Sequence, residues 1–119
     1  MNKLTDEEKR VIIDKGTEVP FIGEYVNNKE NGVYVCRQCN TPLYNSKDKF
    51  ESTCGWPSFD DEISGAIEKD SKIDPLLGQE IHCVKCGGHL GHIFVGEGFT
   101  DKNIRHCVNS ISMKFIPGK

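Results

Sequence analysis

Ile104-Arg105-His106-Cys107-Val108-Asn109-Ser110-Ile111-Ser112-Met113-Lys114-Phe115 has neither Gly nor Pro before Pro117 and is rich in β-branched and apolar residues. It therefore reads as a strand. Side chains alternate across a strand, so Arg105, Cys107, Asn109, Ile111, Met113 and Phe115 would share one face. The second half of that face is ordinary core. The first half holds a thiol between a guanidinium and an amide, and a guanidinium favours the thiolate, which is the nucleophilic form. Cys107 is thus a reactive-cysteine candidate, although the same stretch equally suits a small buried hydrophobe at a sheet edge.

Further strands lie upstream. Val33-Tyr34-Val35 follows the turn Asn27-Asn28-Lys29-Glu30-Asn31-Gly32 and runs into Cys36-Arg37-Gln38-Cys39, and Leu43-Tyr44 follows. Gln79 to Val84 leads into Cys83-Val84-Lys85-Cys86-Gly87, and Leu90 to Val95 precedes the turn Gly96-Glu97-Gly98. Many short strands separated by turns predict a mainly antiparallel β domain. Helix is confined to the periphery. Thr5-Asp6-Glu7-Glu8 has the form of a capping box ahead of Val11, Ile12 and Ile13, which predicts a short helix within residues 1–15, ended by Gly16. Across Asp61 to Lys69 a second helix is open, interrupted by Gly65. Thr17 to Tyr25, broken by Pro20 and Gly23, reads as an extended connection whose Phe21 and Tyr25 tuck onto the body.

The chain of 119 residues carries a net charge of −3, so it lacks the basic footprint that a nucleic-acid backbone demands. Its length suits one domain with its own core, spanning 1–119. No stretch is long and apolar enough to span a membrane, and Met1-Asn2-Lys3-Leu4 leads into charge where a signal peptide needs an apolar run. The expected location is the cytoplasm. Six cysteines in a reducing compartment suggest metal binding and catalysis before disulfides. The two Cys-x-x-Cys pairs, Cys36/Cys39 and Cys83/Cys86, together supply the four ligands of a closed tetrahedral zinc site. Such a site leaves no open position for water, so the zinc would be structural and would tie the sheet together. A thioredoxin-like dithiol at one pair is the rival reading, and His82 is a substitute ligand that four cysteines make unnecessary.

Cys54 and Cys107 are left over. Cys54 sits in Ser52-Thr53-Cys54-Gly55-Trp56-Pro57-Ser58-Phe59, an irregular loop carrying the chain's one Trp. Trp56 is either core or an apolar wall for a small ligand, with its indole N–H available as a donor. In His89-Leu90-Gly91-His92 the two imidazoles, three residues apart, point to opposite strand faces unless the backbone bends. Beside a thiolate they could be the proton source that a leaving oxygen needs.

Taken together, these motifs resemble the methionine-R-sulfoxide reductase B family from about residue 16 to 115. The match is carried by Pro20-Phe21 with Gly23 and Tyr25, the two zinc pairs, Lys49-Phe50, Cys54-Gly55-Trp56-Pro57-Ser58-Phe59, His89-Leu90-Gly91-His92-Ile93-Phe94 and Arg105-His106-Cys107-Val108-Asn109-Ser110. The resemblance implies two antiparallel sheets with small peripheral helices, tied by one structural zinc on Cys36, Cys39, Cys83 and Cys86, and no organic cofactor. It implies Cys107 as catalytic cysteine and Cys54 as resolving cysteine. His89, His92, Arg105 and Asn109 would surround the sulfoxide oxygen and the nucleophile, while Trp56 and Phe94 would bind substrate. The implied activity is reduction of methionine-R-sulfoxide in peptides or proteins through a Cys107 sulfenic acid and a Cys54–Cys107 disulfide, recycled by thioredoxin, in a monomeric repair enzyme of oxidative stress. This chain departs from the family pattern at His106 (usually Tyr), Lys102-Asn103 (often Thr-Gly), Gly78 (commonly Arg) and Gly96-Glu97-Gly98 (usually Asp-Gly-Pro). These departures are expected around the pocket rim. The competing readings are a non-enzymatic zinc-ribbon interaction module and a thiol peroxidase, which would not need the Trp-walled pocket.

Overall fold

A computed structural model describes residues 1–52, 54–74 and 78–118; Thr53 of the Cys54 loop lies outside them. The elements are α1 (Asp6–Ile12), β1 (Gly32–Cys36), β2 (Pro42–Asn45), β3 (Lys49–Phe50), β4 (Ser58–Phe59), β5 (Ile67–Asp74), β6 (Gly78–Cys83), β7 (His89–Val95), β8 (Ile104–Val108) and β9 (Met113–Pro117). They form two antiparallel sheets, one in the order β2-β1-β9 and the other β3-β4-β8-β7-β6-β5. The mainly β expectation holds.

The stretch from Ile104 to Phe115 is not one strand. A 3₁₀ turn at Ser110–Ser112 breaks it, so that β8 lies in the six-stranded sheet and β9 in the three-stranded one. Polar anchors cause the break. The Ser112 hydroxyl donates to the His89 carbonyl at 2.9 Å, the Ser110 N–H donates to the Glu18 carboxylate at 2.9 Å, and the Ser110 hydroxyl accepts from the Tyr25 N–H at 3.1 Å. Side chains that hydrogen-bond nearby backbone compete with a sheet ladder, and here they win. The chain thus passes from one sheet to the other just after Cys107.

The core lies between the sheets. Tyr44 stacks on Phe59 with ring centroids 4.2 Å apart, and Tyr34 meets the same ring edge-on at 5.2 Å. Leu43, Ile81, Leu90, Val108 and Met113 are buried with them. His106 projects into this layer from β8, so Cys107, its neighbour along the strand, projects from the outer face. His106 is 2% exposed and does not lie at the pocket rim. Burial pushes its imidazole down to about 4, which keeps it neutral, and it shares a 2.8 Å hydrogen bond with the Tyr44 hydroxyl.

The capping box forms as expected. Thr5 Oγ1 accepts from the Glu8 N–H and the Glu8 carboxylate accepts from the Thr5 N–H, while Val11 and Ile12 are buried. No helix covers Asp61 to Lys69. Gly65 takes a left-handed turn (φ +76°), and Ile67–Asp74 is instead the edge strand β5, whose charged side chains face outward. Of the connection 17–25, Tyr25 tucks in against Tyr34 and Phe115, but Phe21 stands out, 65% exposed. Among the described residues no helix is long and apolar enough to cross a membrane.

Candidate active site and metal centre

Two turns of the same design present the four paired cysteines. In each, a strand ends on the first cysteine and the residue after the second is left-handed, Asn40 at φ +65° and Gly87 at φ +75°. The Asn40 N–H returns to the Cys36 carbonyl and the Gly87 N–H to the Cys83 carbonyl, both at 2.8 Å. β1 belongs to one sheet and β6 to the other, so the turns meet between the sheets. Cys36 Sγ lies 3.6 Å from Cys86 Sγ, Cys39 Sγ lies 3.5 Å from Cys83 Sγ, and all four sulfurs fall within 4.8 Å of one another. A tetrahedral zinc with Zn–S bonds of about 2.3 Å sets sulfurs about 3.8 Å apart, so the donor set fits. Four anionic sulfurs do not suit one another unaided: a hydrogen bond to Cys83 and burial push the Cys36 thiol up, and burial pushes Cys86 up to about 11. A cation removes that conflict.

The second group of chemistry-bearing residues lies on the outer face of the six-stranded sheet. Strand register aligns Phe50, Ser58, Cys107, His92 and Glu80 in one row across five strands, since Phe50 pairs with Ser58, Ser58 with Cys107, Cys107 with His92 and His92 with Glu80. Residues opposite each other in antiparallel strands share a face. His92 therefore stands beside the thiol. His89 joins it because β7 carries one extra residue, Leu90, between the positions that oppose His82 and Ile81. This bulge reverses the alternation, and the two rings meet edge-on with centroids 5.6 Å apart. Gly91 allows the close approach: a Cβ there would fall 1.8 Å from the Cys107 carbonyl oxygen.

Cys54 Sγ reaches to 3.9 Å from Cys107 Sγ, a proximity the sequence did not disclose. Ser52 Oγ donates to Cys54 Sγ at 3.0 Å and Ser58 Oγ lies 3.4 Å from it. A hydrogen bond from Cys107, with the two serines, pulls Cys54 down to about 4. That bond and burial push Cys107 up, outweighing Arg105, which favours its thiolate. The two thiols compete for one proton: the serines favour charge on Cys54, and Arg105 favours it on Cys107. Arg105 is less committed to the thiol than its position in sequence suggests. Its Nε donates to Glu97 at 2.7 Å and Nη2 donates to the same carboxylate at 3.2 Å, while the guanidinium stacks 4.5 Å over Phe94.

The cavity over the pair is lined by Cys54, Trp56, His92, Phe94, Arg105, Cys107, Thr17, Gly91 and Asn109. Trp56 is a wall, but its indole N–H is taken, donating to the Glu18 carbonyl at 2.8 Å. Asn109 is likewise engaged: its amide donates to the Leu90 carbonyl at 3.0 Å and its Oδ1 accepts from the Glu18 N–H at 2.9 Å. Asn109 therefore anchors the strap that holds the Trp. Sequence reasoning missed Glu18, Glu80 and Glu97. Glu80 Oε2 lies 3.1 Å from His89 Nδ1, and it raises the imidazole against the larger effect of burial, which leaves both His89 and His92 below the usual range. Only the β6–β7 register could have found Glu80, two strands from Cys107.

Two sheets joined at a closed four-sulfur cluster that could hold a metal, with a separate thiol pair opening on a cavity walled by Trp and His, define a β fold with two distinct cysteine sites. The SelR domain description matches residues 4–117, and the chain belongs to that family. Peptide methionine sulfoxide reductase B3 of Arabidopsis thaliana is 53% identical over 115 residues, covering 96% of this chain and 65% of that protein. Peptide methionine sulfoxide reductase MsrB of Teredinibacter turnerae is 48% identical over 117 residues, covering 96% of this chain and 85% of that protein. The chain spans under two thirds of the length of some plant relatives, 56% for the chloroplastic B2 form of Arabidopsis thaliana. In fold it is also similar to the Mis18 'Yippee-like' domain, at a TM-score of 0.61 and 12% identity over 76% of this chain and 99% of that one.

Proposed function

We propose that the chain reduces the R epimer of methionine sulfoxide, in peptides or proteins, to methionine. The observation that carries this reading is the Cys54–Cys107 pair at 3.9 Å beneath a cavity with one aromatic wall and one imidazole wall, apart from the metal cluster. Trp56 and Phe94 receive the S-methyl group, and His92 and Arg105 face the oxygen, with His89 behind His92. Substrate entering the cavity separates the two sulfurs, and the shared proton passes to Cys54 as the Cys107 sulfur becomes the attacking thiolate. Cys107 attacks the sulfoxide sulfur, the oxygen is protonated with the imidazoles as relay, and methionine departs. One thiol and one sulfoxide thereby become one sulfenic acid and one thioether. Cys54 then displaces the hydroxyl as water, forming the Cys54–Cys107 disulfide. An external dithiol, thioredoxin by family resemblance, restores both thiols and leaves as its own disulfide.

Cys36, Cys39, Cys83 and Cys86 would hold a structural zinc, which would tie the two sheets together and supply no chemistry to these steps. Four cysteines poised for metal and two poised for redox chemistry suit a reducing compartment such as the cytoplasm, where a monomer of one domain would repair oxidised proteins. The test is turnover of separated R and S epimers of a methionine-sulfoxide peptide with dithiothreitol and then thioredoxin. R-only turnover, lost in Cys107→Ser, is the expected result. Turnover of neither epimer by the folded metallated protein, or full turnover by Cys107→Ser, would overturn it.

A further inference from the structure

Trp56 has two faces. One lines the cavity over Cys107; the other lines a second cleft with the apolar Phe21, Val26, Phe50 and Gly55 and the polar Asn27, Glu51 and Ser52. Phe21 is the unusual member. It adopts φ +71°, a left-handed conformation that is uncommon for a bulky side chain. The conformation is held by its N–H donating to the Gly55 carbonyl at 2.7 Å, and it leaves the ring 65% exposed. A core role would have buried the ring, and strained positions cluster where a ligand is met. Ile22 and Val19 beside it are also exposed, so the apolar surface continues along the strap that pins Trp56.

The row across the sheet sets the distance between the clefts. Phe50 is two strands from Cys107, through Ser58, which at ordinary strand spacing is about 10 Å. An extended chain covers that in roughly two or three residues at about 3.3 Å each. The Phe50 ring also lies 5.8 Å from Phe99, whose face is 6.0 Å from the Arg105 guanidinium, so an aromatic path joins the clefts in front of the sheet.

We propose that the cleft of Phe21, Val26 and Phe50 is a second subsite, which takes an apolar side chain two or three residues from the sulfoxide in a polypeptide substrate. The inference rests on the function proposed above and adds to it a preference for an apolar side chain at that distance from the sulfoxide. A peptide fits because the clefts share a wall, and an occupant seated in one is positioned to continue into the other.

Trp56 is the chain's one Trp, so its fluorescence reports occupancy directly. Two blocked peptides with a central methionine-R-sulfoxide are titrated into Cys107→Ser, which does not turn over. One carries Leu at the second and third positions on both sides and the other carries Ala there. The Leu peptide should bind about tenfold more tightly, the discrimination that small changes in an apolar pocket provide. Phe21→Ala, and separately Phe50→Ala, in the Cys107→Ser background should bring the two affinities together. Equal binding of the two peptides to Cys107→Ser, or a preference that survives both further substitutions, would overturn the subsite. So would a sedimentation result in which the cleft is covered by a second copy, a dimer that Phe21→Ala converts to monomer. Failure of the functional reading is separate: it would appear as no turnover of blocked methionine-R-sulfoxide by the unsubstituted protein.

Discussion

The cluster of Cys36, Cys39, Cys83 and Cys86 and the pair Cys54/Cys107 are built from the same residue type, and their sulfurs come nearly as close, at 3.5 to 3.9 Å. Their surroundings separate them. The four sulfurs of the cluster face one another from two matched turns that backbone N–H groups fold. The pair faces a cavity, has serine hydroxyls on one sulfur and a guanidinium near the other, and lies where the chain changes sheet. Closed mutual ligation makes a cysteine structural. An unequal pair that shares a proton beside an opening makes it chemical.

The largest test of this contrast is removal of the metal. If the cluster joins the sheets, chelation should unfold the chain, since structural zinc carries on the order of 10 kcal/mol of folding free energy. Far-ultraviolet circular dichroism with metal release followed in parallel measures it. An apo protein that melts like the holo protein would place the cluster outside the folding core. The next test concerns the pair. Cys54→Ser should complete one turnover and then stall with thioredoxin, while small thiols reduce the Cys107 sulfenic acid directly. Multiple turnover at an unchanged thioredoxin-coupled rate would mean that the sulfur 3.9 Å away is not the resolving group.

Acid should distinguish the regions as well. His106 lies behind the pair with its imidazole at about 4, against an ordinary 6.5. The unfolded chain therefore binds a proton that the folded chain refuses, so the stabilisation is complete above pH 6.5 and is lost as pH falls toward 4. The loss is roughly 3 kcal/mol at most. Denaturant unfolding from pH 7 to 4, compared with His106→Phe, measures it: the variant should lack this part of the decline. Identical pH dependence would place the acid sensitivity on groups other than His106.

The strands, the capped helix and the four-sulfur cluster were legible in sequence because each rests on local grammar: alternation, a capping box, Cys-x-x-Cys. What was not legible depended on partners distant in sequence. Ile104 to Phe115 alternates like one strand, yet Glu18, Tyr25 and His89 supply partners to Ser110 and Ser112 that break it. Asp61 to Lys69 lacks a strong strand pattern because β5 is an exposed edge, where charge is favoured and apolar alternation is not required. His89 and His92 looked opposed until a single extra residue in β7 turned them to one site. The indole N–H of Trp56 was expected to be free, but the strap it pins passes from Thr17 to Phe21, far from it in sequence. Six cysteines could be sorted by spacing alone. What distinguishes the last two, the serines beside Cys54 and the guanidinium near Cys107, required the fold.

The smallest effect is also the most specific. Glu80 reaches His89 from β6 without touching the cavity, and its carboxylate raises both imidazoles against burial. Glu80→Gln preserves size and a hydrogen-bonding oxygen but removes the charge, so both imidazole ionisations should move to lower pH. If His89 and His92 relay the proton to the leaving oxygen, kcat/KM at neutral pH should fall about tenfold, as for the loss of one charge-assisted hydrogen bond. The acid limb of the pH profile should shift down with it. Lys15, 3.5 Å from the same carboxylate and largely exposed, should matter little in that profile. A lower rate with an unmoved acid limb would make Glu80 a brace for the bulge in β7. The outer face would then differ from the metal cluster through its sulfur pair alone, with the imidazoles serving as walls and not as acids.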